Sequence, residues 1–245
     1  AVREKYGLSG NYIVHVGTVE PRKNLDTLLD AYQQISPSLR EEFPLLLIGP
    51  MGWAAESTRN RVRSSGPGVR YLGYVPEDDL PLLIAGATAC VSPSLYEGFG
   101  LPIPQAMALG VPVLTSNVSS MPEVAGGAAV LVDPHSTGEI RAGIERLMLS
   151  PSLREKLSAK GRKRAQAFHW ETSAKKTWRF FEDVCGLGER RQVAAASPRR
   201  KTACQGMGQR IGDCGGMAAA ATACSCRAGF GGFPDPHPDR LARGV

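Results

Sequence analysis

Along most of this chain, short unbroken runs of apolar residues alternate with longer stretches in which apolar side chains recur every three or four positions. The first pattern predicts buried strands, the second amphipathic helices. Tyr12 to Val16 is such a run, closed by Gly17, and Leu25, Leu28, Leu29, Tyr32 and Ile35 mark the helix after it. Leu45 to Ile48 ends at Gly49-Pro50 and precedes a polar helix near Ala55 to Arg63. Val69 to Leu72 is a third strand, after which Pro76 with Glu77, Asp78 and Asp79 opens a helix running through Ile84. Ala89 to Val91 is a fourth, followed by a glycine loop and a short helix. Val113 to Thr115 is a fifth, followed by a helix starting at Met121, Pro122 and Glu123, and Ala129 to Val132 is a sixth. Helices over Thr137 to Leu149 and Leu153 to Ala167 come next, and an amphipathic one over Glu171 to Val184 closes the pattern.

Strands that alternate with helices and are apolar on both faces belong to a parallel sheet covered on both sides. The expected fold is therefore α/β, a Rossmann-like parallel sheet with helices on both faces, over residues 1–186. Ligands of such sheets sit beyond the carboxyl ends of the strands. The polar or glycine-rich loops that follow the strands, among them Gly17 to Asn24, Gly73 to Pro76, Ser92 to Gly100 and Ser116 to Pro122, should converge on one crevice.

Past Gly186 the periodicity collapses into Arg, Ala, Gly, Cys and Pro, and residues 187–245 read as a basic, low-complexity, disordered tail. This division changes the meaning of the net charge of +6. From Glu189 onward nine Lys or Arg face four acids, leaving twenty basic against nineteen acidic residues before it, so no nucleic-acid partner is expected for the folded part. Of six cysteines, Cys90 falls in a strand and Cys185 at a helix end. The other four lie in the tail at spacings that match no zinc pattern. The folded part reads as reduced and cytosolic. No apolar run is long enough to cross a membrane, and the chain, opening AVREKYGLSG without a signal segment, reads as beginning in mid-protein.

Chemistry concentrates in VSPSLYEGFGLPIPQAMALGVPV, Val91 to Val113. A strand ends, turn formers and the glycines Gly98 and Gly100 follow, and a helix starts directly after them. Pro102 and Pro104 suit its first turn, while Gly110 and Pro112 suit its end. The free donors at this helix start are the amides of Gly98, Phe99, Gly100, Leu101 and Ile103, a nest suited to a phosphate. Glu97 stands at its lip. A carboxylate beside a phosphate is repulsive unless it has another task, such as bonding sugar hydroxyls or capping the loop's own amides. Gln105, eight residues on, is placed to address a second part of the same ligand. In the loop GTVEPRKN, Arg22 and Lys23 stand at a helix start, where two cations oppose the dipole by about 0.3 to 1 kcal/mol each and a bound polyanion would reverse that cost. Gly17 would let the backbone approach such a ligand; the alternative is a pair of solvated surface charges. His15 reads as a core or cleft-floor residue, Asp133 as ordering the turn after the sixth strand, and Trp170 as stapling the last helix.

EGFGLPIPQAMALGVPV closely resembles the signature of family 4 retaining glycosyltransferases of the GT-B fold, a Glu followed by seven residues and a second Glu, here replaced by Gln105. GTVEPRKN is a familiar form of that family's basic loop, and the resemblance covers roughly Tyr12 to Val184. It implies the carboxy-terminal, donor-binding half of a two-domain enzyme that moves a hexose from a nucleoside diphosphate sugar to an acceptor hydroxyl with retention. Glu97 would contact the transferred sugar, Arg22 and Lys23 the diphosphate, Gln105 the ribose, and the segment around Tyr74 and Val75 the nucleobase, although Gly73 to Pro76 also reads simply as a turn before a helix. Gln105 lacks a carboxylate's double acceptance, which weakens the expected grip on the nucleotide. LTSNVSSMPEVAGGAAVLVDP is similar to mannosyl- and rhamnosyl-transferring bacterial members, pointing to guanosine diphosphate mannose. No cofactor or metal is implied, since Asp78 and Asp79 do not form a D-x-D motif. A glycan or lipid-linked acceptor would bind through a missing amino-terminal domain, in the cytoplasm or at the inner membrane face. Competing readings are a non-catalytic nucleotide-sugar-binding module and a GT-B nucleotide-sugar epimerase.

Overall fold

The computed structural model describes residues 2–53, 56–66 and 68–185. Six strands, β1 (Ile13–Val16), β2 (Leu45–Ile48), β3 (Val69–Gly73), β4 (Ala89–Ser92), β5 (Val113–Ser116) and β6 (Ala129–Val132), form one sheet in the order β3-β2-β1-β4-β5-β6 with every pairing parallel. β1 and β2 join through α2 (Leu25–Gln33) and α3 (Pro37–Glu42), β2 and β3 through α4 (Glu56–Ser64), and β3 and β4 through α5 (Leu80–Ala85). After β4 come α6 (Pro102–Ala108), then α7 (Met121–Ala125) between β5 and β6, and finally α8 (Thr137–Leu149), α9 (Pro151–Ala165) and α10 (Trp170–Val184). A short α1 (Val2–Lys5) precedes β1.

The four inner strands are buried at every position, as their unbroken apolar runs predict. β3 and β6 are the edges and are only partly buried. Because side chains alternate along a strand, Ile13 and Leu45 pack with Leu28 and Leu29 of α2 and Ile140 and Ile144 of α8 on one face. Val14, Leu46 and Cys90 pack with Leu83 of α5, Ile103 and Met107 of α6 and Val124 of α7 on the other. α9 closes the second layer against α6, its Gly161 lying on Met107 where a Cβ would stand 3.2 Å from Met107 Cγ.

The structure differs from the predicted elements in a few places. α5 begins at Leu80 instead of Pro76: residues 76–79 form a turn in which Asp79 N and Leu80 N donate to Pro76 O at 3.0 and 3.1 Å, and the Asp79 carboxylate, instead of capping the helix, accepts from Lys5 Nζ at 2.6 Å and Tyr6 Oη at 2.9 Å and ties the helix start to the amino-terminal segment. Trp170 does not staple α10; it is the first residue of that helix and 84% exposed, and no residue of α10 is buried. The tail expected to be disordered lies outside the described residues.

Candidate functional site

The strand order reverses direction between β1 and β4, so the loops leaving these two neighbours diverge and open a crevice at their carboxyl ends. Both chemistry-bearing loops of the sequence lead out of it. After β1, Pro21–Lys23 forms one turn of 3-10 helix, and Asn24, in the left-handed region at φ 59°, separates it from α2. Asn24 Nδ2 donates to the carbonyls of Pro93 (2.9 Å) and Pro134 (2.7 Å), and Leu95 N donates to Arg22 O (2.8 Å). The β1, β4 and β6 loops are thereby fastened together.

Inside this junction lies a buried charge cluster. Lys23 and Glu97 are 6% and 5% exposed, and Lys23 Nζ donates to Glu97 Oε1 at 2.6 Å. Ser94 Oγ donates to the same oxygen at 2.9 Å. Arg22, nearly half-exposed, donates through Nη1 to Glu97 Oε2 at 2.5 Å and pairs through Nη2 with Glu20 at 2.6 Å. Burial alone would raise the Glu97 carboxyl, but Lys23, then Ser94 and Arg22, outweigh it and hold the group below its ordinary range. The residue is a carboxylate at neutral pH. Solvated surface charge therefore describes Arg22 in part and Lys23 not at all.

The glycines take specific parts. Gly17 sits at φ +157°, and a Cβ there would stand 3.1 Å from Lys23 Cε, so glycine leaves room for the lysine stem. Gly100, at φ +81°, turns the chain from Glu97 into α6. The amides of Gly98, Phe99, Gly100 and Leu101 donate no hydrogen bond to any described group. Ile103, expected among the free donors, is not one: its N–H closes the first helical turn on Gly100 O at 3.0 Å. Four free amides thus lie between Glu97, which Arg22 and Lys23 hold, and the start of α6.

Four hydroxyls from β5 and the loop after it, which the sequence pattern did not single out, stitch down the Glu97 loop. Thr115 donates to Ser92 O (3.0 Å), Ser116 to Ser94 O (2.6 Å), and Ser119 and Ser120 both to Glu97 O (2.7 and 2.8 Å). Their run, TSNVSS, reads in the sequence as a strand end, a loop before a helix and part of a segment similar to mannosyl- and rhamnosyl-transferring members, with no role for the individual hydroxyls.

Other expected residues lie around this centre. Gln105 is exposed on α6 and borders two cavities. One, of about 590 Å³ and apolar, is shared with Phe99, Leu101, Phe168 and Trp170; the other, of about 540 Å³, lies against Glu77 and Leu80. Phe99 stands edge-on to Phe168 at 5.4 Å. Tyr74 is 71% exposed, while Val75 is buried in the core and leaves only its backbone free for a ligand. Both follow β3, two strands away from β1, and neither is among the hydrogen-bond or ion-pair partners of the charge cluster. His15 forms the buried floor: Nδ1 contacts Val91 O at 2.9 Å, and burial, with the Lys23 charge adding to it, pushes the ring down to about 4. Asp133 orders its turn as expected, accepting from His135 N at 2.8 Å.

Residues 2–164 match the family of glycosyl transferases group 1. The chain belongs to this glycosyltransferase family. Among its relatives, the O-antigen chain mannosyltransferase B of Escherichia coli is 45% identical over 179 residues, 72% of this chain and 47% of that protein. A D-inositol 3-phosphate glycosyltransferase of Jonesia denitrificans is 33% identical over 207 residues, 80% of this chain and 47% of that protein. The chain thus spans about half the length of these two curated relatives. Among solved structures, the sucrose-phosphate synthase of Thermosynechococcus elongatus superposes with a TM-score of 0.66 at 28% identity, covering 76% of this chain and 49% of that one. Anabaena Alr3699/HepE, solved with UDP and glucose, gives 0.66 at 21% over 74% and 50% and shares the fold. The sheet order and helix layers described above are those of a GT-B glycosyltransferase lobe, and no described helix is long and apolar enough to cross a membrane.

Proposed function

We propose that this glycosyltransferase chain is the donor-binding lobe of a family 4 retaining enzyme that transfers mannose from guanosine diphosphate mannose to an acceptor hydroxyl. The observation that carries the reading is the Lys23–Glu97–Arg22 cluster at the reversal point of the sheet, beside four unbonded amides at the start of α6. In the free protein Glu97 pairs with both cations, and Glu20 shares Arg22. A bound diphosphate competes for the same donors and takes Arg22, Lys23 and the amides of Gly98 to Leu101, which leaves the Glu97 oxygens to the hydroxyls of the sugar. As the glycosidic bond breaks, the leaving diphosphate gathers charge against these fixed donors, and the acceptor attacks from the same face without a protein nucleophile. Gln105 addresses the ribose, and the backbone beside Tyr74 and Val75 the base. No metal takes part. The acceptor, a glycan or lipid-linked sugar, binds a second, amino-terminal lobe, and the enzyme works in the cytoplasm. The mannose assignment rests on the 45% identity to a mannosyltransferase.

Calorimetry with guanosine diphosphate and guanosine tests the site. Arg22→Ala is expected to weaken the diphosphate by about 10-fold, the value of one charged hydrogen bond, and to leave guanosine unchanged. Equal losses for both ligands would remove Arg22 from the phosphate site.

A further inference from the structure

Two serines after β5 each forgo what their own segment would favour. Ser119 stands at φ +58°, the left-handed region that a non-glycine residue occupies at a cost and that clusters at functional sites. Ser120 occupies the N-cap position of α7, where a serine hydroxyl ordinarily accepts from the first-turn amides, yet it makes no cap. Both hydroxyls are spent instead on one residue 22 or 23 positions earlier. Ser119 Oγ accepts from Glu97 N at 3.3 Å and donates to Glu97 O at 2.7 Å, and Ser120 Oγ donates to that same carbonyl at 2.8 Å. The backbone of Glu97 is thus held on both its polar groups by the β5–α7 loop, while its carboxylate is held separately by Lys23, Arg22 and Ser94.

This division matters at the moment a diphosphate draws the two cations away. The carboxylate then loses its charged partners, and its aim depends on the backbone beneath it. We propose that Ser119 and Ser120 are positioning residues, which keep Glu97 directed at the transferred sugar once Lys23 and Arg22 have turned to the diphosphate. The inference rests on the reading of Glu97 as the sugar contact. Ser119 supplies an acceptor and a donor at once from a left-handed backbone, and among other side chains asparagine does both and tolerates that backbone.

The test is calorimetry of the full chain with guanosine diphosphate and guanosine diphosphate mannose, read as the ratio of the two affinities, with thermal unfolding alongside. Ser119→Ala is expected to lower the affinity gained from the sugar by about 3- to 10-fold, with the guanosine diphosphate affinity unchanged. Ser119→Asn should restore the gain. Ser120→Ala should lower it in the same sense and, because no cap is lost, shift Tm by less than about 2 °C. A parent chain that gains nothing from the sugar, or a Glu97→Gln variant that keeps the gain, overturns the reading of Glu97 and the positioning role with it. A gain lost in Glu97→Gln but kept in Ser119→Ala and Ser120→Ala overturns the positioning role alone. So does a Ser119→Ala variant that weakens both ligands equally, since that is the mark of a loop that has merely loosened.

Discussion

The switch-point crevice and α10 depart from ordinary burial in opposite directions. At the crevice a lysine, a glutamate and several hydroxyls are withdrawn from water, and among the described residues there His15 Nε2 is the one buried side-chain polar atom without a partner within the chain. On α10 the apolar side chains remain in water: Trp170, Trp178, Phe180, Phe181 and Val184 are all more than half exposed. Buried polarity costs free energy unless it is paired, so the crevice is a finished construction whose parts constrain one another. An apolar helix face gains its stabilisation only when something covers it, so α10 is helical without contributing to this core. The same chain therefore contains one region where a single atom change should propagate and one where several should not.

The sharpest break of that contrast is Lys23→Ala. It leaves a buried carboxylate with Ser94 and a half-exposed Arg22, and is expected to cost about 3 kcal/mol, or roughly 6 to 12 °C in Tm by calorimetric unfolding. Arg22→Ala, whose partner is the same carboxylate but whose own side chain is 44% exposed, should cost under about 1 kcal/mol. Equal costs would mean that burial does not set the strength of this cluster.

His15 gives a smaller and pH-dependent effect. Its folded value of about 4 lies below the ordinary 6.5, so the unfolded chain binds the extra proton first as pH falls. Stability should be full above pH 6.5 and decline from there toward pH 4, by about 2 kcal/mol at pH 5. Denaturant titrations of the parent and of His15→Gln at pH 7.5 and 5 check this. If the variant keeps the whole of the acid decline, the floor of the crevice is not its source.

On α10 the expected effect is the smallest. Trp178→Ser and Phe181→Ser should each move stability by less than about 0.5 kcal/mol, although the same change in the core, as at Leu28, would remove a fully buried side chain. A Tm loss of several degrees in either variant would show that the chain covers this face itself.

How much was legible in the sequence follows the same division. The inner strands could be read because a run such as LLLI is apolar at every position only when both faces are covered, and the observed β2 matches it residue for residue. The short helices α1 and α3 were missed, since four and six residues carry too little periodicity to register. Glu97, Arg22 and Lys23 stood out by their type and spacing. Their arrangement did not: a lysine in PRKN reads as exposed, and nothing local says that Gly17 opens the space for its stem.

The sequence by itself determined the kind of fold, the helix start that bears the free amides, and the family, because each rests on neighbours within a few residues along the chain. Tertiary structure alone decided that β1 lies against β4, and with it that Lys23 meets a glutamate 74 positions away and that two serines after β5 hold that glutamate's backbone. The reason is physical: strand periodicity reports which residues are buried, but pairing order is set by how the connecting helices pack on the two faces of the sheet. Only once that order exists do separate loops converge on one carboxylate.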